Sequence, residues 1–182
     1  MSAVKKTTRY AEAKYYEKDR KRFLKRLYKA TQQGCDIVHL DETGFAPTVH
    51  RTHGWSFIGQ KIYGDKPGQK RPRTSLIGGY LRNRLIAPML FDGTCCQDVF
   101  NEWLASALLP QLKPGTVIIL DNATFHKSWL TLDLVRMAGC RLLFLPPYCP
   151  HLNPIEKLWA NIKKIWAYAE NKTLMEVVKS CG

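Results

Sequence analysis

The sequence predicts an α/β fold: a mixed sheet in which an antiparallel meander precedes a βαβα half, with helices on both faces. Three observations carry this. Apolar runs at 35–40, 53–58, 74–81 and 85–91 are separated by turn residues, the pattern of strands joined in series. From residue 97 onward, helical periodicity alternates with two short apolar runs, 117–120 and 142–145. Two of these runs deliver carboxylates at their C-terminal ends, Asp41 and Asp121, where ligand sites form in open α/β sheets.

Each element has a local reason. Residues 10–30 lack Gly and Pro and are rich in helix formers, with Tyr16, Phe23, Leu27 and Ala30 as a thin apolar stripe among Lys and Arg. Gln32-Gln33-Gly34 ends this basic helix, and the octapeptide before it reads as a frayed tail. The strand at 35–40 delivers Asp41-Glu42, and Thr43-Gly44 follows as a turn. Residues 53–58, with Trp55, read as a second strand, and 61–73 as a basic Gly/Pro-rich connection. The strands at 74–81 and 85–91 join at Arg82-Asn83-Arg84 and close at Asp92-Gly93.

In the second half, Phe100, Trp103, Leu104, Ala107, Leu108 and Leu112 share one helical face, ended by Pro114-Gly115. A helix at 129–138 ends at Gly139, and the strand at 142–145 is stopped by Pro146-Pro147. Asn153 as N-cap, Pro154 at the first position and Glu156 at the third open another helix, whose residues Ile155, Leu158, Trp159, Ile162, Ile165 and Trp166 must pack on the sheet. A short helix from Thr173 closes the chain.

Composition bounds the function. A chain of 182 residues, 45% apolar and 24% charged, suits one globular domain with a real core. No apolar run approaches the roughly 18 residues that span a bilayer, and the basic N-terminus is not signal-like, so a cytoplasmic, soluble protein without a membrane partner is expected. Six cysteines, two of them adjacent and none in C-x-x-C spacing, point to reduced thiols rather than a zinc finger or a disulfide framework. The net charge of +13 points to a polyanionic partner. Residues 1–33 hold eleven Lys/Arg against Glu12, Glu17 and Asp19, so they form a basic helical lead-in to a domain at 34–182.

If the strands that end at Asp41 and Asp121 are neighbours, their carboxylates lie side by side and repel unless a cation neutralises them. Without a His/Cys ligand cluster, that cation is a hard one such as Mg²⁺ or Mn²⁺. A basic protein with a carboxylate-held divalent metal suggests phosphodiester chemistry by two-metal, in-line displacement. Taken alone, Glu156 could be half of a capping box with Asn153.

The blocks LDETGF, HGWSFIGQ, LIAPMLFDG, LDNATFHKS and LPPYCPHLNPIEKLWANIKK, in that order over about residues 35–168, resemble the catalytic domain of mariner-superfamily transposases of the bacterial insertion-sequence type. Thirty-four residues separate Asp121 from Glu156, the Asp-to-Glu interval of that superfamily's DDE triad. The resemblance implies an RNase H-like fold, with Asp41, Asp121 and Glu156 as catalytic residues and as ligands of two Mg²⁺ or Mn²⁺ ions. It further implies DNA cleavage and joining of the freed 3′-hydroxyl to target DNA. Double-stranded DNA, as transposon ends and as target, is the implied partner. An upstream helix-turn-helix product or fusion and a second copy of the chain are further candidates, because family members usually carry DNA-reading domains ahead of the catalytic one. Lacking such a domain, the chain could instead be a non-catalytic DNA-binding remnant.

The remaining residues are read more modestly. Side chains alternate along a strand, so Glu42 faces away from Asp41 as a surface or supporting group. Asn122 and His126 match the family's DNA-x-x-H pattern, although a His before a helix is usually a polar cap. Cys149 and His151 depart from the family's usual residues in that loop. Trp55, Trp103 and Trp159 are expected in the core. Lys157, Asn161 and Lys164 sit on one helix edge, either touching phosphate or simply solvated. The 64–73 loop contains no G-K-[ST], so it is not a nucleotide P-loop.

Overall fold

A computed structural model describes residues 16–45, 57–61, 73–169 and 172–181. Its sheet is built from β1 (Ile37–Phe45), β2 (Thr74–Leu81), β3 (Arg84–Asp92), β4 (Val117–Leu120) and β5 (Arg141–Phe144), in the order β3-β2-β1-β4-β5. β1, β2 and β3 form the antiparallel part, while β4 and β5 run parallel to β1. The mixed sheet expected from the sequence is therefore the one observed. Pro88 is tolerated because β3 is an edge strand. A bulge there puts Ala87 at φ +49 and turns its carbonyl towards Trp103, whose Nε1 donates to it at 2.7 Å.

Helices cover both faces. Val38, Leu40, Ile118 and Leu120 point to one side, against α2 (Gln97–Trp103) and α3 (Trp129–Met137). Val117, Ile119 and Leu143 point to the other, where α1 (Glu17–Gln32) buries Phe23 and Ala30. On that same side, α4 (Ile155–Trp166) and α5 (Leu174–Cys181) cover Leu76 and Phe45. Full burial of one large apolar side chain such as Phe23 contributes about 1.5–3 kcal/mol, which is what seats the otherwise charged α1.

The structure departs from expectation at four places. β1 does not stop at Leu40; it runs through Asp41, Glu42 and the expected Thr43-Gly44 turn to Phe45. β4 has ended by then, but β2 pairs with β1 from Val38 to Phe45 and continues the ladder on that edge over the whole extension. Of the strand expected at 53–58, only Phe57 and Ile58 are among the described residues, and they sit in a turn. There Gln60 N–H bonds to the Phe57 carbonyl at 3.0 Å, with Gly59 at φ +90.

The helix expected to continue to Leu112 changes character after Trp103, becoming a π turn (Leu104–Leu108) and then a 3₁₀ turn (Leu109–Gln111). Pro110 lacks the N–H that a regular helix needs there. Finally, the α4 cap is not the one expected, as described below. The frayed tail, Trp55 and the 64–72 loop lie outside the described residues.

Candidate active site

The register of β1 and β4 pairs Ile37 with Val117 and His39 with Ile119. Continued by two places, that register sets Asp41 beside Asp121, the first residue after β4. Both follow the odd-numbered residues that face α1 and α4. Glu156 stands in the first turn of α4, a helix fixed by the buried Ile155, Trp159 and Ile162. All three carboxylates line one open cleft, together with Asn122, Asn153 and the 145–150 loop. At about 320 Å³ the cleft lies at the small end of ligand pockets, with room for a phosphodiester rather than a large cofactor.

Asp41 is held from behind by Trp159, whose indole Nε1 donates to Oδ2 at 3.0 Å. The expected core residue thus has a second task. Gly78 faces Asp41 across the β1–β2 ladder, and a Cβ there would lie 2.7 Å from Leu85 Cδ1 and 3.3 Å from Trp159 Cη2. Glycine leaves the space into which the indole reaches. Burial pushes the Asp41 carboxyl up to about 7, and the negative charges of Glu156, Glu42 and Asp121 push the same way.

Asn153 does not cap α4. Its Nδ2 donates to the Leu40 carbonyl at 3.2 Å, tying the start of α4 to β1. The reciprocal cap belongs to α5 instead: Thr173 N and Oγ1 donate to Glu176 Oε2 at 2.6 and 2.9 Å, and Glu176 N donates to Thr173 Oγ1 at 3.3 Å.

Asp121 is held differently. Its Oδ1 accepts from His126 Nδ1 at 2.7 Å and from the Ala123 N–H at 2.9 Å. His126 is 2% exposed, and its Nε2 lies 3.1 Å from Glu42 Oε1. Both ring nitrogens thus face carboxylate oxygens, an arrangement that a doubly protonated ring satisfies as donor twice. Burial opposes the charge, but the hydrogen bonds to Asp121 and Glu42 outweigh it and bring the pKa to about 9. In return, the His126 hydrogen bond holds the Asp121 carboxyl below its ordinary range against the effect of burial. The imidazole is packed between Phe100 and Phe125, at centroid distances of 4.4 and 4.1 Å.

The polar-cap reading of His126 is therefore corrected. The cap of α3 is Ser128, whose Oγ accepts from Thr131 N at 3.1 Å. Glu42 does face away from Asp41, as alternation requires, and it supports Asp121 through the ring between them. Lys157, Asn161 and Lys164 are solvent-exposed, as is His151, whereas Cys149 is buried. All six cysteines are free. No helix among the described residues is long and apolar enough to cross a membrane.

The donor set suits a hard divalent cation: carboxylate oxygens only, with the charges of Glu156, Glu42 and Asp121 acting on Asp41 and no ion pair to it among the described residues. Among the described residues no three His, Cys, Asp or Glu side chains are grouped tightly enough to encage one ion. The fit is accordingly to an ion such as Mg²⁺, which takes one or two protein carboxylates and completes its shell with water and phosphate oxygens.

A mixed sheet with this strand order and helices on both faces defines an RNase H-like fold. The backbone superposes on the pre-cleavage Mos1 transpososome with a TM-score of 0.74 at 18% identity, over 99% of this chain and 58% of that one. The mariner Mos1 paired-end complex with Mg gives 0.72 at 19% identity, over 99% and 58%. For the isolated catalytic domain of Mos1 mariner transposase the score is 0.65 at 17% identity, over 96% and 82%. The family described as DDE superfamily endonuclease matches residues 36–177, and the chain belongs to that family. A stretch of 53 residues is 47% identical to the Tc3 transposase of Caenorhabditis elegans, covering 29% of this chain and 16% of that protein. The chain thus spans a small part of that relative and a little over half of the Mos1 polypeptide in its complexes.

Proposed function

We propose that this chain is the catalytic domain of a transposase, of the bacterial insertion-sequence type by its motif blocks. It acts inside the cell on double-stranded DNA, and residues 1–33 serve as a basic lead-in to the catalytic part at 34–182. It cleaves a DNA strand and then transfers the freed 3′-hydroxyl to a target strand. The observation that carries the reading is the convergence of Asp41, Asp121 and Glu156 on one cleft in a chain of the DDE endonuclease family. The Mos1 paired-end complexes with Mg and with Mn support a divalent ion, and the paired-end complex with a left transposon end supports transposon-end DNA as substrate; a second copy of the chain is the proposed protein partner.

The chemistry balances without a covalent enzyme intermediate. In cleavage a water oxygen attacks phosphorus, the P–O3′ bond breaks, and the 3′-oxygen leaves as a hydroxyl. In transfer that hydroxyl attacks a target phosphodiester and displaces another 3′-oxygen. Divalent ions, when bound, supply charge neutralisation at the phosphate and a lowered pKa for the attacking oxygen. Asp41, Asp121 and Glu156 would hold them. Oδ2 of Asp41 accepts from Trp159 and Oδ1 of Asp121 from His126 and Ala123, so the ions would be held chiefly through the opposite oxygen of each aspartate. Asn153 keeps α4, and with it Glu156, in register with β1.

The test is cleavage of a labelled duplex carrying candidate terminal repeats, with Mg²⁺ or Mn²⁺, by the chain alone and fused to a helix-turn-helix reader. Metal-dependent nicking that Asp121→Ala abolishes is expected. Binding without cleavage in both forms would replace the enzyme with a DNA-binding remnant.

A further inference from the structure

The catalytic cleft does not end at the carboxylates. Asn122, Leu145, Pro146 and Pro147 also line a second hollow, between α1 and β5, whose other wall carries Asp19, Arg22 and Arg26. Arg26, Leu142 and Leu143 in turn line a third, which reaches Lys29, Gln33 and Arg141. Through these shared residues the three hollows adjoin in series, a groove that leads from the catalytic site along the outer edge of the sheet. Its floor is apolar, from Leu142 and Leu143 of β5. Its rim is cationic.

The rim charges are spaced by helix geometry. Arg22, Arg26 and Lys29 follow one another at i, i+4 and i+7, so they fall on one side of α1 over about 10 Å. All three are exposed, although Phe23 and Ala30 on the same helix are buried. Among the described residues no carboxylate lies within ion-pair distance of Arg26 or Lys29. Arg22 has only the exposed Asp19 at 3.7 Å, a contact worth little in water. At the far end, Arg141 directs Nη2 at Cys35 Sγ, 2.9 Å away, rather than at an acid. The outward side of α1 differs in this respect, since Lys21 there is paired with Glu17 at 3.1 Å. Exposed cations with at most one weak acidic contact among the described residues, lining an apolar-floored groove, are complementary to a sugar-phosphate backbone, and 10 Å matches about three phosphates of one strand.

We propose that this groove is the track of the DNA strand leading to the scissile phosphate, with phosphates on Arg22, Arg26, Lys29 and Arg141. The proposal rests on the reading of the cleft as a phosphodiester site and adds the direction from which the strand arrives. α1 then acts as one wall of the substrate channel.

The experiment measures binding of the full chain to a fixed duplex by fluorescence anisotropy, with Ca²⁺ in place of Mg²⁺, across a series of NaCl concentrations. It compares wild type, Arg26→Gln with Lys29→Gln, and Lys21→Gln with Lys25→Gln, which removes the same charge from exposed positions outside the groove. The groove pair is expected to lower the slope of log K against log salt by about 2, and affinity on the order of tenfold at 0.15 M salt. The control pair is expected to change the slope by less than half as much. Equal effects of the two pairs, or no binding by wild type, would overturn the proposal, as would displacement of DNA by polyglutamate at matched charge, which would mark an acidic-protein site. Cleavage in Mg²⁺ is scored separately. Selective loss of binding by the groove pair in a protein that cannot nick would leave the groove standing and remove the catalytic reading. Nicking by wild type with indistinguishable pairs would do the reverse.

Discussion

Asp41 and Asp121 flank the same cleft, yet their surroundings pull in opposite directions. Asp41 lies inside a strand, partly buried, with the Trp159 indole as its side-chain donor and other carboxylates nearby, so its acid is pushed up to about 7. Asp121 stands just past a strand end, accepts two hydrogen bonds on one oxygen, and is kept ionised by a buried cationic ring. Among the described residues, one carboxylate therefore has no cation paired with it, and the other has its own. An added cation acts differently at the two: at Asp41 it relieves the repulsion of neighbouring carboxylates, while at Asp121 it joins a group already oriented.

The comparison can be broken most severely by removing the oxygens themselves. Asp41→Ala, Asp121→Ala or Glu156→Gln is expected to reduce metal-dependent nicking on the order of 10³-fold or more, with circular dichroism and DNA binding largely retained. Full activity of Asp121→Ala would sink the mechanism. Next in size is the ring that sets the two aspartates apart. His126→Ala is expected to cost about 10–100-fold in metal affinity and activity, read by Mn²⁺ titration, whereas Glu42→Gln, one step further out, costs less.

Trp159→Phe keeps the packing and removes the one indole donor to Asp41. Its expected effect is roughly a tenfold loss in cation affinity with little change in melting temperature. A melting temperature that collapsed instead would assign the indole to packing alone.

The smallest effect is on stability. Asp41 has a folded-state pKa above its ordinary 3.8, so its contribution is present in full below about pH 4 and is lost as pH rises through about 7. His126, raised from 6.5 to about 9, contributes in the same sense and loses its part between those values. In EDTA the melting temperature is expected to fall on the order of 5 °C between pH 5 and 8, and Mg²⁺ is expected to restore more of it at pH 8 than at pH 5. An Asp41→Asn variant with the same pH dependence as wild type would remove Asp41 from this account.

Much of this could be read from the chain, for reasons that are local. Val117–Leu120 is apolar at every position and ends on Asp121, and the apolar stripe of α4 positions Glu156 whatever its partners. Asp41 was legible as a carboxylate on a central strand, but not as lying within it, because the pairing that extends β1 is supplied by β2 some forty residues later. The bridge from Glu42 through His126 to Asp121 spans 84 positions and is invisible to any local pattern. Two clues existed: the opposite parity of Glu42 and Asp41, and a His five residues after Asp121. The cap of α4 misled because the Asn153 amide is turned to β1, where Nδ2 donates to the Leu40 carbonyl, and not to the free N–H groups of its own helix. The shift to a π turn after Trp103 follows from Pro110, a signal present in the sequence but overshadowed by the regular spacing of Phe100, Trp103, Leu104 and Leu108.

His126 reaches Asp121 from within the aromatic packing of the opposite face of the sheet, where Phe100 and Phe125 clasp the ring. The interior and the cleft consequently cannot vary independently. A substitution at Phe100 chosen only to refill the core would also re-aim a carboxylate it never touches. In this protein the tolerance of the hydrophobic interior to mutation is set by the positional accuracy of the cleft, and a selection for activity would act as a selection on packing.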